Sequence, residues 1–129
     1  MAFYQEKKKT RSTPYVLIDE GKQYMKFQGD CFPDDTPDFF WEINEWLCGY
    51  LESGKHDKLT FDCDLNYFNS STSKILFDML DLMNEFSRDG KQAQVNWYVE
   101  SGDNLQREIY EDFMEDFHDM KIVLIEKEG

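Results

Sequence analysis

The chain has 129 residues, of which 40% are hydrophobic and 16% aromatic, which suits one domain and is too apolar for a disordered segment. Its formal net charge of −13 repels phosphate backbones and argues against nucleic acid as a partner. No apolar run approaches the ~20 residues of a membrane span, and no apolar segment marks the N-terminus for export. The three cysteines, Cys31, Cys48 and Cys63, form neither an even disulfide set nor a zinc spacing. The expectation is a cytoplasmic protein with reduced thiols and no metal or cofactor.

In chain order, residues 1–11 carry Lys7, Lys8, Lys9 and Arg11 against Glu6 and read as a flexible basic tail. One domain is expected over residues 12–129. Pro14 to Asp19 and Tyr24 to Gly29 are β-rich runs around Gly21, a hairpin pattern. Thr36-Pro37 then predicts a helix start, with the threonine as cap and proline at the first helical position. Phe39, Ile43, Trp46, Leu47 and Tyr50 follow at helical spacing, and Gly54 closes the helix.

Leu59 to Leu65 alternates strictly, with Leu59, Phe61, Cys63 and Leu65 on one side and Thr60, Asp62, Asp64 and Asn66 on the other. One sheet face is therefore buried and the other only partly covered. Ser71 to Ser87 carries a stripe of Ile75, Met79, Leu82 and Phe86, widened by Leu76, Leu80 and Met83. Asp89-Gly90 ends that helix. Gln94 to Val99 alternates again, a third helix follows Ser101-Gly102-Asp103, and Ile122 to Ile125 is a last strand. The order ββαβαβαβ implies parallel pairing through right-handed crossovers. The expected fold is one α/β domain, a mixed sheet of about five strands with three helices packed on one face.

Chemistry concentrates where the middle strand runs into the second helix, through Tyr67-Phe68-Asn69-Ser70-Ser71-Thr72-Ser73-Lys74. Four consecutive hydroxyls lie at a helix start. The first turn offers unpaired N–H groups and about half a positive charge. A phosphate attached there meets donors already aimed at it and adds about −1.5 to −2 charges to a surface of hydroxyls. Capping alone also places serine and threonine at helix starts. Tyr67 and Phe68 read as core aromatics or as a partner's anchor. Asp62 and Asp64 are either solvated strand carboxylates or the edge of a metal-dependent enzyme site.

The strand-to-helix junction resembles that of STAS domains in anti-sigma factor antagonists, which are phosphorylated there on serine. The chain more fully resembles the SiaC family of bacterial regulatory phosphoproteins. The resemblance is carried by Ser12-Thr13-Pro14, Gly29-Asp30-Cys31-Phe32-Pro33-Asp34, Phe39-Phe40, Trp46-Leu47, Leu65-Asn66-Tyr67-Phe68-Asn69-Ser70-Ser71 and Val95-Asn96-Trp97-Tyr98. It implies a STAS-like fold and a non-enzymatic, partner-switching role. It implies that a cognate kinase phosphorylates the chain and a Ser/Thr phosphatase reverses this. It further implies that the unmodified form binds and activates a diguanylate cyclase, raising cyclic di-GMP and favouring biofilm.

The family acceptor follows the motif asparagine, which maps to Ser70. The family commonly has threonine at that position, and the STAS analogy points to Ser71. Ser70 is therefore the first candidate acceptor, Ser71 the second and Thr72 the third, with Tyr67, Phe68, Asn69 and Lys74 as surrounding motif and partner-binding residues. A constitutive interaction domain without a switch is the alternative. The half-covered sheet leaves room for a homodimer.

Overall fold

A computed structural model describes residues 2–128. Six strands, β1 (Tyr4–Lys7), β2 (Tyr15–Asp19), β3 (Tyr24–Cys31), β4 (Lys58–Phe68), β5 (Gln92–Glu100) and β6 (Lys121–Lys127), form one sheet whose spatial order is the chain order. The β1/β2 and β2/β3 pairs are antiparallel, and β3 to β6 pair in parallel. The parallel strands are joined by α1 (Thr36–Glu52), α2 (Ser70–Arg88) and α3 (Asn104–Asp116). Each crossover moves one strand in the same direction, so a common right-handed sense puts the three helices on one face.

The core follows from alternation. Val16, Ile18, Met25, Phe27, Leu59, Phe61, Cys63, Val95 and Trp97 point to the helix side and are buried. They meet Phe40, Ile43 and Leu47 of α1 and Leu76, Met79, Leu80 and Met83 of α2. The buried face of α2 is thus centred one residue beyond the expected stripe, and Ile75 and Leu82 sit at its edges, half-buried. In α3, Phe113 is buried, whereas Leu105 remains 67% exposed.

Two expectations are corrected. The sheet has six strands rather than about five, because Tyr4–Lys7, inside the expected flexible tail, pairs in register with Val16–Asp19. Pairing to an existing edge orders a segment whose own pattern is too short and polar to announce a strand. The α1 cap is Asp35, whose carboxylate accepts from the Asp38 N–H at 3.0 Å; Thr36 is already helical and buried.

The sheet face away from the helices is polar and internally bonded. The Tyr24 hydroxyl donates to Asp62, Asn96 Nδ2 donates to the other Asp62 oxygen at 2.8 Å, and Gln94 donates to Asn96 at 2.8 Å. Asp64, 7% exposed, pairs with Lys127 Nζ at 2.6 Å and accepts from Gln28 Nε2 at 3.3 Å. Asp64 is therefore not a solvated carboxylate; the last strand brings a cation to it.

Candidate functional site: the start of helix α2

Asn69 lies in extended conformation (φ −81°, ψ 175°) and caps α2. Its side-chain oxygen accepts from the Thr72 N–H at 2.9 Å, and its carbonyl accepts from the Ser73 N–H at 3.0 Å. Both bonds tie down first-turn donors. Ser70 and Ser71 are the first two helical residues and are exposed. Their N–H groups belong to the positive end of a long helix, where an anion is stabilised. Lys74, exposed one turn on, is the nearest cation in sequence.

Thr72 is different. It is fully buried, and its hydroxyl donates to the Cys31 carbonyl at 3.3 Å. The Asn69 N–H reaches the same carbonyl at 3.2 Å. Thr72 is thus withdrawn from the candidate acceptors: a kinase cannot reach a hydroxyl that the fold uses to fasten α2 to β3. The register of β3 on β4 shifts between Gly29 and Asp30, where Gly29 has φ +122°, a conformation that favours glycine. This irregularity lies two residues before the Cys31 carbonyl that receives both bonds.

Of the neighbouring candidates, Tyr67 is 54% exposed and meets Phe32 edge-on, with ring centroids 5.9 Å apart. Phe68 is half-buried and packs edge-on against Trp97 at 6.2 Å. The two adjacent aromatics therefore split their roles, Phe68 toward the core and Tyr67 on the surface. Asp62 and Asp64 lie on the opposite sheet face and are engaged by Tyr24, Asn96, Gln28 and Lys127. Among the described residues, no group of three or more His, Cys, Asp and Glu side chains is placed to hold a metal.

Two features beside this helix start lie outside the sequence expectations. The Cys31 carbonyl is backbone and leaves no side-chain signal. Trp41 is 65% exposed on α1. The Phe40, Ile43, Leu47, Tyr50 stripe could have revealed it, since Trp41 falls about 140° from the middle of that line.

This arrangement defines a small α/β domain with an accessible hydroxyl pair at a capped helix start. The chain belongs to the SiaC family of regulatory phosphoproteins, whose family model matches residues 7–127. It is 30% identical over 107 residues to an uncharacterized protein of Pseudomonas aeruginosa strain UCBPP-PA14, covering 83% of this chain and 84% of that one. It is also similar to SiaC of Pseudomonas aeruginosa, with a TM-score of 0.88, 26% identity, and coverage of 97% of this chain and 99% of that one. Against the structure of the diguanylate cyclase SiaD of that organism in complex with its activator SiaC, the TM-score is 0.89 at 26% identity, covering 95% and 99%. No helix among the described residues is long and apolar enough to cross a membrane.

Proposed function

We propose that this chain is a non-enzymatic, cytoplasmic partner switch whose unphosphorylated form binds and activates a diguanylate cyclase. A kinase adds a phosphate at Ser70, or failing that Ser71, and a Ser/Thr phosphatase removes it. The observation that carries this reading is the exposure of Ser70 and Ser71 at the start of α2, in a chain of a family of regulatory phosphoproteins. The relative SiaC activates a diguanylate cyclase, which names the class of effector.

The physical basis is electrostatic. Asn69 and Cys31 already hold the first turn in place, so a phosphate there needs no refolding. It replaces a hydroxyl with a dianion stabilised by the helix end and by Lys74. A partner covering this surface would have to strip water from that dianion, which costs far more than an exposed ion pair returns.

The test is the affinity of the diguanylate cyclase, and its output of cyclic di-GMP, with wild type, Ser70→Ala, Ser71→Ala and protein carrying phosphoserine at position 70 or 71. Ser70→Ala should bind like wild type, and Ser71→Ala, which removes only a hydroxyl, should stay well short of the loss that a phosphate causes. One phosphoserine protein should bind at least tenfold more weakly, about 1.4 kcal/mol. Equal binding by every form rejects the switch.

A further inference from the structure

A groove of about 410 Å³ runs between the first halves of α1 and α2, lined by Pro37 and Trp41 on one side and Ser71, Lys74, Ile75 and Asp78 on the other. The α2 residues are spaced as one face of a helix, at i, i+3, i+4 and i+7. Ser71, one of the two accessible hydroxyls, is part of this wall. Trp41 stands at the rim with 65% of its surface exposed. A tryptophan fixed on a rigid helix beside a groove is the kind of residue that dominates binding energetics.

We propose that this groove seats an amphipathic helix with basic flanks, supplied by the effector, with an apolar side chain set against Trp41 and Ile75. The proposal rests on reading the chain as an effector-binding regulator and adds where and by what chemistry it binds. Two packed helices leave a trough that accepts a third. The surrounding charge selects the sign of that third helix. Asp38 and Glu45 flank Trp41 along α1, and Asp78 and Asp81 continue along α2; all four are exposed. Lys74 is the one cation lining the groove. A second copy of this chain, at −13, would set acid against acid, whereas a basic helix is drawn in.

The same placement explains how a phosphate would expel a basic partner despite its negative charge. Exposed ion pairs contribute little, while burying a dianion in an apolar trough carries a large desolvation cost. A phosphoryl group on Ser71 stands in the trough itself, so burial outweighs attraction.

The test measures binding of three probes: a Leu/Lys amphipathic helical peptide, its Leu/Glu counterpart, and full-length SiaD of Pseudomonas aeruginosa. The proteins are wild type, Trp41→Ala, Asp78→Lys and, as a control on the opposite sheet face, Leu17→Ala. Circular dichroism checks that each is folded. The Leu/Lys peptide should bind wild type and the Leu/Glu peptide should not. Trp41→Ala should weaken the Leu/Lys peptide and the cyclase by about thirtyfold, Asp78→Lys should weaken the Leu/Lys peptide, and Leu17→Ala should leave both unchanged. Cyclase or Leu/Lys binding that is insensitive to Trp41→Ala overturns the groove, as does equal binding of the two peptides or binding of neither. Cyclase binding unimpaired by Trp41→Ala would leave the regulator reading standing while the groove falls. Trp41-dependent binding of the Leu/Lys peptide, with no binding of the cyclase, supports the groove and counts against the choice of effector.

Discussion

Thr72 Oγ1 donates to the carbonyl oxygen of Cys31 across 3.3 Å, joining the first turn of α2 to the end of β3. Thr72→Val keeps the shape and removes the donor. The expected loss is about 1 kcal/mol by urea denaturation, the usual net worth of one hydrogen bond. Phosphosite mapping of kinase-treated wild type should find no modification at Thr72, and a Thr72 phosphopeptide from the folded protein would contradict its burial.

Tyr50 is buried and donates its hydroxyl to the Lys58 carbonyl. Burial, with Glu20 and Asp57 nearby, pushes its hydroxyl from 10.0 up to about 12. Between these values the folded chain holds a proton that the unfolded chain has released. The stability from Tyr50 is therefore complete below pH ~10 and falls as pH rises toward ~12. Tyr50→Phe should be less stable at neutral pH by about 1 kcal/mol yet decline less steeply under alkaline conditions. Identical alkaline slopes in the two proteins would show that this hydroxyl is not a source of the decline. Tyr15, which Glu6 also pushes up to about 12, should preserve part of the slope in both.

Asp64 is nearly enclosed, and its cation comes from Lys127 in β6. Lys127→Ala leaves a covered carboxylate with only Gln28, and a destabilisation of about 1–3 kcal/mol is expected. Adding Asp64→Asn should recover part of it, since the amide needs no counter-charge. Additive losses in this double-mutant cycle would mean the pair is uncoupled.

The thiols of Cys31, Cys48 and Cys63 are all pushed up, chiefly by burial, and Cys31 and Cys63 are enclosed. At neutral pH a thiol reagent should label the folded protein slowly at Cys48 alone and reach all three cysteines in denaturant. Rapid labelling of Cys63 would place the core in a looser state.

Where burial follows a regular period, the sequence carried the fold plainly. The alternation of Leu59, Phe61, Cys63 and Leu65 marked the covered side of β4, and the α2 stripe marked its packed face within one residue. Where a neighbour decides, sequence was mute. Tyr4–Lys7 becomes a strand only because β2 offers a free edge, and Asp64 finds Lys127 only once the sheet closes the 63-residue gap between them. The hydroxyl segment lay between these cases. Ser71 stands four residues before Ile75 and Thr72 four before Leu76, so both lines of the expected stripe reach a hydroxyl. Only the packing of α2, which buries the Leu76 line and leaves Ile75 at its edge, separates enclosed Thr72 from exposed Ser70 and Ser71.

Because spatial order equals chain order, β1 and β6 are opposite borders of the sheet, with five ladders between them at about 4.8 Å each. A load drawn between Tyr4 and Lys127 therefore acts across the strands and meets the ladders one after another, as a zipper opens, instead of shearing them together. Along this axis the ladders are loaded in opening and not in shear, and groups attached at Tyr4 and Lys127 stand on opposite borders of the sheet.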